Sequence, residues 1–142
     1  MGELLHATGV LIDGAALLIT GRPGAGKSDL ALRLIVRGAR LIADDYTAVE
    51  ARDGTLYASP PPTIAGRLEI RGIGIVDVEY AEEGPVALIV DLDAKPTRMP
   101  EDKAGETRLC GVAVPTIALA AFEASAPIKA EWALRLFGRK LR

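Results

Sequence analysis

The chain has 142 residues, 49% of them hydrophobic and 25% charged, enough for one core of ordinary size, so a single domain over residues 1–142 is expected. Its net charge is −2, and the 17 basic residues alternate with 19 acidic ones, which leaves no broad cationic face and argues against a nucleic-acid partner. The single cysteine excludes an internal disulfide, and the absence of a signal peptide or a long apolar run argues against a membrane and for the cytoplasm.

Thr8–Ile12 and Ala16–Thr20 are apolar runs around Asp13-Gly14-Ala15, which predicts a tight hairpin. Leu30, Ala31, Leu34 and Ile35 recur at helical spacing within Ser28–Arg37, and Gly38 is placed to stop that helix. Leu41–Ala43 reads as a short buried strand ending in Asp44-Asp45. Thr47–Ala51 and Thr55–Ala58 form a second hairpin around Asp53-Gly54, ended by Pro60-Pro61-Pro62.

Leu68–Ile70 and Ile75–Val78 flank Arg71-Gly72-Ile73-Gly74, and Val86–Leu92 is a continuous apolar run of the kind buried on both faces of a sheet. Asp93–Thr107 is charged, lacks periodicity and contains Pro96, Pro100 and Gly105, so it is expected to be a long loop and a candidate substrate-facing segment. After Val112–Pro115 the pattern turns helical through Ile117–Ser125 and again through Ala130–Phe137, with breaks at Pro127 and Gly138. The sum is an α/β fold with a mixed sheet and flanking helices. Cys110 reads as a small buried hydrophobe. Arg135, Arg139, Lys140 and Arg142 read as a solvated basic tail, and Glu79, Glu82 and Glu83 as a solvated acidic stretch.

The most informative segment is Gly21-Arg22-Pro23-Gly24-Ala25-Gly26-Lys27-Ser28, which fits the phosphate-loop (Walker A) pattern at every fixed position. It lies between a predicted strand and a predicted helix, the context that the pattern requires. Its glycines let backbone N–H groups turn inward around an anion, and the helix presents its positive end to the phosphates of ATP. Lys27 would reach the β- and γ-phosphates, and Ser28 would offer its hydroxyl to Mg²⁺.

Phosphoryl transfer also needs a carboxylate near the metal and, for a hydroxyl acceptor, a group to take its proton. Two apolar strands end in acids: Leu41–Asp45, with Asp44 and Asp45, and Val86–Asp93, with Asp91 and Asp93. Spacing alone leaves both open, and a surface turn or helix cap is the plain alternative for the paired aspartates.

With the phosphate loop, the double aspartate and the segment Leu68-Glu69-Ile70-Arg71-Gly72-Ile73-Gly74-Ile75-Val76-Asp77-Val78 in view, the chain resembles the HPr kinase/phosphorylase family. The resemblance runs in order from about His6 to Val90 and weakens after that. It implies a P-loop fold similar to the nucleotide domain of phosphoenolpyruvate carboxykinase. It also implies transfer of phosphate from ATP to a serine of the phosphocarrier HPr, with reversal by inorganic phosphate, in carbon-metabolism and phosphotransferase signalling.

The same resemblance implies that Asp44 and Asp45 carry the base role, and the acid role in reverse. Glu69 would join Ser28 around Mg²⁺, and His6, the one histidine of the chain, would lie close to the transferred phosphate. Arg71 would lie near the same site as a candidate phosphate contact, a structural ion pair being its other reading. Asp91 and Asp93 become strand-end or loop acids. Homo-oligomers, hexamers in the family, are implied too, and the chain reads as a catalytic core without the family's N-terminal domain.

One departure bears on the acceptor. The family's late Pro-Gly-Arg-Asn segment is replaced here by Pro115-Thr116-Ile117-Ala118, with Ile117 where the arginine would stand; Arg98 and Arg108 are the nearby candidates to replace it. The readings are therefore a serine kinase of HPr, a P-loop kinase of another acceptor, and a nucleotide-sensing regulatory module with little turnover.

Overall fold

Residues 2–96 and 104–141 are described by a computed structural model. Eleven strands and two α-helices follow one another among them: β1 (Gly2–Leu5), β2 (Ala7–Ile12), β3 (Ala15–Thr20), α1 (Lys27–Val36), β4 (Arg40–Ala43), β5 (Thr47–Arg52), β6 (Thr55–Ser59), β7 (Arg67–Ile70), β8 (Gly74–Asp77), β9 (Gly84–Asp91), β10 (Gly105–Leu109), β11 (Val112–Ala118) and α2 (Ala126–Phe137). A single 3-10 turn, Pro62–Ile64, follows the prolines.

The main sheet runs β1-β5-β6-β9-β3-β2-β4, with β11 also paired to β9 and β10 paired to β11. It is mixed: β3 and β11 run parallel to β9, whereas the β2–β3, β2–β4, β5–β6 and β6–β9 pairs are antiparallel. One edge of β9 takes β3 from Val86 to Asp91, so its other edge is divided between β6 near its start and β11 near its end. β7 and β8 form a separate hairpin that packs against α1.

Side chains alternate along β3 as they must on a pleated strand. Leu17 and Ile19 enter a core with Leu30 and Leu34 of α1, Leu88 and Val90 of β9, and Ala126, Ala130 and Ala133 of α2. Ala16 and Leu18 enter a second core with Ile42, Val49, Leu56, Val86, Ile89 and Val114. The sheet is thus covered on both faces, which is why β3 and β9 read as unbroken apolar runs. Across the helix layer, Arg37 and Glu131 pair at 2.8 Å, and the Glu131 carboxylate, through its hydrogen bonds and its charge, holds the Arg37 guanidinium above its usual range.

Three two-residue turns join antiparallel strands, each with positive φ at both central positions: Asp13 and Gly14 (49° and 81°), Asp53 and Gly54 (50° and 79°), and Cys110 and Gly111 (49° and 80°). This geometry matches the twist of the flanking strands and favours Asp-Gly at such turns.

Several expectations need correction. Gly105, Glu106 and Thr107, expected at the end of the long loop, belong instead to strand β10; positions 97–103 of that stretch lie outside the described residues. Ile117 and Ala118, expected in a helix, end β11, because Val112, Val114 and Leu119 supply buried contacts that outweigh the helical pattern. Pro127 does not break α2 but sits in its first turn, where its missing N–H costs no hydrogen bond. Cys110 is half-buried, at a turn. Arg139 is not a solvated tail residue: its N–H donates to the Ala87 carbonyl at 2.7 Å and its guanidinium to that of Gly54 at 2.9 Å.

Candidate active site

Strands β3, β9 and β11 are parallel and, because β2 is antiparallel to both its neighbours, β4 runs in their direction too. Their C-terminal ends therefore share one edge of the sheet, the edge where open α/β sheets bind ligands. Residues 21–28 leave β3 there, Asp44 and Asp45 leave β4, and His6 precedes β2 at the same edge.

Residues 21–28 form a compact turn into α1. The Ala25 N–H donates to the Arg22 carbonyl at 3.0 Å, and Gly26, with φ of 102°, is the residue on which α1 begins. Lys27 is buried, its Nζ donating to the carbonyls of Gly21 at 2.7 Å and Arg22 at 3.3 Å. The ammonium is thus held at the loop by the loop's own backbone. From the β9 side, Asp93 Oδ2 accepts the Arg22 N–H at 3.0 Å, and Asp91 Oδ1 accepts the N–H groups of Asp93 and Ala94. Asp93 thus braces the loop, and Asp91 braces the turn that carries Asp93.

Ser28 turns elsewhere. Its hydroxyl donates to Asp44 Oδ1 at 2.6 Å. The same oxygen accepts the Thr8 hydroxyl at 3.1 Å, and Asp44 Oδ2 accepts the Glu69 N–H at 3.0 Å. A buried carboxylate needs such partners, and Asp44, only 8% exposed, has three donors from three separate elements. The Thr8 hydroxyl in turn accepts the Asp45 N–H at 3.0 Å. Thr8 is fully buried.

Asp45 is different in every respect. It is exposed, adopts φ of 69°, and its Oδ1 lies 2.8 Å from His6 Nε2. A left-handed conformation is unusual for a residue other than glycine, and aspartate tolerates it better than most. The turn directs the two neighbouring carboxylates apart, one inward to Ser28 and one outward to His6. The His6 ring packs 5.2 Å from that of Tyr46.

Glu69 and Arg71 are exposed on the β7–β8 hairpin, next to Asp44 through the Glu69 backbone. Arg71 pairs with no acid among the described residues, so the ion-pair reading has no partner there. Ile117 lies half-buried against the core between the sheet and the helices. Arg108 donates to the Gly111 carbonyl at 3.0 Å within its own hairpin, and Arg98 lies outside the described residues.

The structure therefore brings Ser28, Asp44 and the start of the signature hairpin together, and His6 together with Asp45. Thr8, which ties both carboxylates to β2, was not singled out by the sequence. Its one signal was its place two residues after His6, at the start of β2. The described residues contain no cluster of three or more His, Cys, Asp or Glu that could hold a metal by themselves. Mg²⁺ does not need one, since it takes one or two carboxylates, phosphate oxygens and water. The oxygen donors of Ser28 and Asp44 fit it: a hydroxyl that donates its proton to a carboxylate has its lone pairs free for a cation. Among the described residues no helix is long and apolar enough to cross a membrane.

A family model described as HPr Serine kinase C-terminal domain matches residues 2–121. The HPr kinase/phosphorylase of Limosilactobacillus reuteri (strain DSM 20016) is 39% identical over 127 residues, which is 81% of this chain and 40% of that protein. The HPr kinase/phosphorylase of Clostridium botulinum (strain Eklund 17B / Type B) is 53% identical over 74 residues, 52% of this chain and 24% of that protein. The chain thus spans between about a quarter and two fifths of these curated relatives. The solved Hpr(Ser) kinase/phosphatase from Coxiella burnetii superposes with a TM-score of 0.80 at 32% identity, covering 94% of both chains.

Proposed function

The chain belongs to the HPr serine kinase C-terminal domain family, and from that membership and the geometry of the sheet edge we propose that it is an ATP- and Mg²⁺-dependent kinase of a serine on HPr or an HPr-like carrier. The observation that carries this reading is the division of labour at Asp44-Asp45. One carboxylate is bonded to the phosphate-loop serine at 2.6 Å, while its neighbour is exposed beside a histidine.

In this reading the N–H groups of residues 21–28 and the start of α1 hold the β- and γ-phosphates. Lys27 exchanges its bonds to the Gly21 and Arg22 carbonyls for phosphate oxygens. Ser28 and Asp44 would hold Mg²⁺, with Glu69 completing the set from the hairpin, and the ion would supply charge neutralisation to the phosphates. Asp45 takes the proton from the acceptor hydroxyl as that oxygen bonds to the γ-phosphorus. The bond from phosphorus to the bridging oxygen breaks, and ADP departs. His6 orients the Asp45 carboxylate and lies beside the transferred group. Arg71 is placed to contact phosphate from the hairpin. The family resemblance supports a regulatory role in carbon metabolism and assembly into homo-oligomers.

The test is to incubate purified protein with γ-labelled ATP, Mg²⁺ and HPr from the same organism. Label on a serine of HPr is expected, and no transfer by folded protein would overturn the reading. A second reading has its own observation, the half-buried Ile117 in place of an arginine, with Arg108 engaged in its own hairpin. It keeps the chemistry and changes the acceptor to another protein or a small hydroxyl compound. Labelling a cell extract distinguishes them, because a labelled species other than HPr supports only the second.

A further inference from the structure

Phe122 has no place in the mechanism above, yet it stands against the phosphate loop. After β11 the chain Leu119–Ser125 crosses the end of α1. A side chain at Gly26 would lie 3.0 Å from Ala121 Cβ and 3.0 Å from Phe122 Cε1 and Cζ, so the distal edge of the ring touches the residue on which α1 begins. The ring is nevertheless 70% exposed. Its backbone is fixed: the Arg33 guanidinium donates to the carbonyls of Ala121 and Glu123 on either side, and is itself anchored to Asp29 at 2.8 Å. A large apolar side chain held in place while most of its surface remains in water is poised to take a flat apolar partner.

The topology says which one. In the order β11-β9-β3-β2-β4 the phosphate loop follows the middle strand, Asp44 and Asp45 follow β4 on one flank, and Phe122 follows β11 on the other. A nucleotide with its γ-phosphate directed at Asp45 must leave the loop on the opposite flank with its base, where Phe122 lies.

We propose that Phe122 is the stacking platform for the nucleotide base, an inference that rests on the nucleotide reading of residues 21–28. Every base has a π face, so such a platform binds a base without reading its hydrogen-bonding edge. The site should therefore favour a nucleoside triphosphate over bare triphosphate, and accept guanine in place of adenine.

The experiment is calorimetric binding of ATP and of inorganic tripolyphosphate, each with Mg²⁺, to the intact protein and its Phe122→Ala, Phe122→Leu and Phe122→Trp variants. Base stacking on an aromatic ring strengthens binding by roughly 5- to 150-fold. Phe122→Ala and Phe122→Leu are expected to weaken ATP by about tenfold or more and to leave tripolyphosphate within about twofold, whereas Phe122→Trp retains ATP. Leucine keeps bulk against Gly26, so loss of ATP alone in that variant reports stacking and not a displaced loop. Equal weakening of both ligands would make Phe122 a mere brace and overturn the proposal, as would no change in either. If the unaltered protein binds neither ligand, the nucleotide reading itself fails, a result separable from the others because it needs no variant.

Discussion

The phosphate loop and the Asp44–Asp45 turn meet at Ser28, but they are held by opposite means. The loop is held mostly by its own residues: Lys27 bonds to the carbonyls of Gly21 and Arg22, six and five residues before it in sequence, and Ala25 to Arg22, with Asp93 bracing the Arg22 N–H from beyond β9. The turn is held from elsewhere, by Thr8 of β2, Ser28 of α1 and the Glu69 backbone of β7, between 16 and 36 residues away. A site built locally is specified by a short motif. A site built by distant partners depends on the fold, and within it the two aspartates take different parts.

The sharpest way to break that difference is to treat the two carboxylates alike. Asp45→Asn is expected to lower phosphate transfer by about 10²–10⁴-fold, the range of a lost general base, while shifting urea unfolding by less than about 0.5 kcal/mol, because the side chain is exposed. Lys27→Ala is expected to lower turnover by about 10²–10³-fold through loss of charge stabilisation, read in the same labelled-ATP assay.

Asp44→Ala should behave unlike Asp45→Asn. It leaves the donors of Ser28, Thr8 and Glu69 without their acceptor, so unfolding should become easier by about 2–4 kcal/mol, with a higher Mg²⁺ requirement in the surviving activity. Equal stability of the Asp44 and Asp45 variants would end the comparison. Thr8→Val is expected to cost about 1–2 kcal/mol, since it removes one hydroxyl that serves both residues. The smallest effect belongs to Arg108→Ala, expected to change transfer by less than about twofold; a large loss there would make Arg108 the missing arginine after all.

The same contrast explains what the sequence disclosed. The strand, turn and helix around residues 21–28 are legible in the sequence because the three are contiguous. Asp13-Gly14 and Asp53-Gly54 announced their hairpins because Asp-Gly favours positive φ at both positions. Cys110-Gly111 adopts the same geometry with a residue that gives no turn signal, so β10 is hidden in a charged stretch and the end of β11 has a helical pattern. The paired aspartates were visible as a pair, but their separation into inward and outward carboxylates depends on Thr8 and on the φ of Asp45, neither of which is a pattern in the chain. Phe122 was equally silent, because its neighbour Gly26 lies 96 positions away.

β9 is the seam of the sheet, with β3 on one edge and β6 and β11 sharing the other. Gly84 at its start lies so close to its neighbours that an added Cβ would come within 2.5 Å of Leu11 and 3.3 Å of Ile42. For a chain emerging from the ribosome, this seam sets a schedule. The first two hairpins can pair as soon as they are made, whereas β3 waits some 70 residues for its parallel neighbour, and such non-local pairing is slow. The strand that leads into the most recognisable segment of the sequence therefore completes its sheet contacts only once β9 has been made.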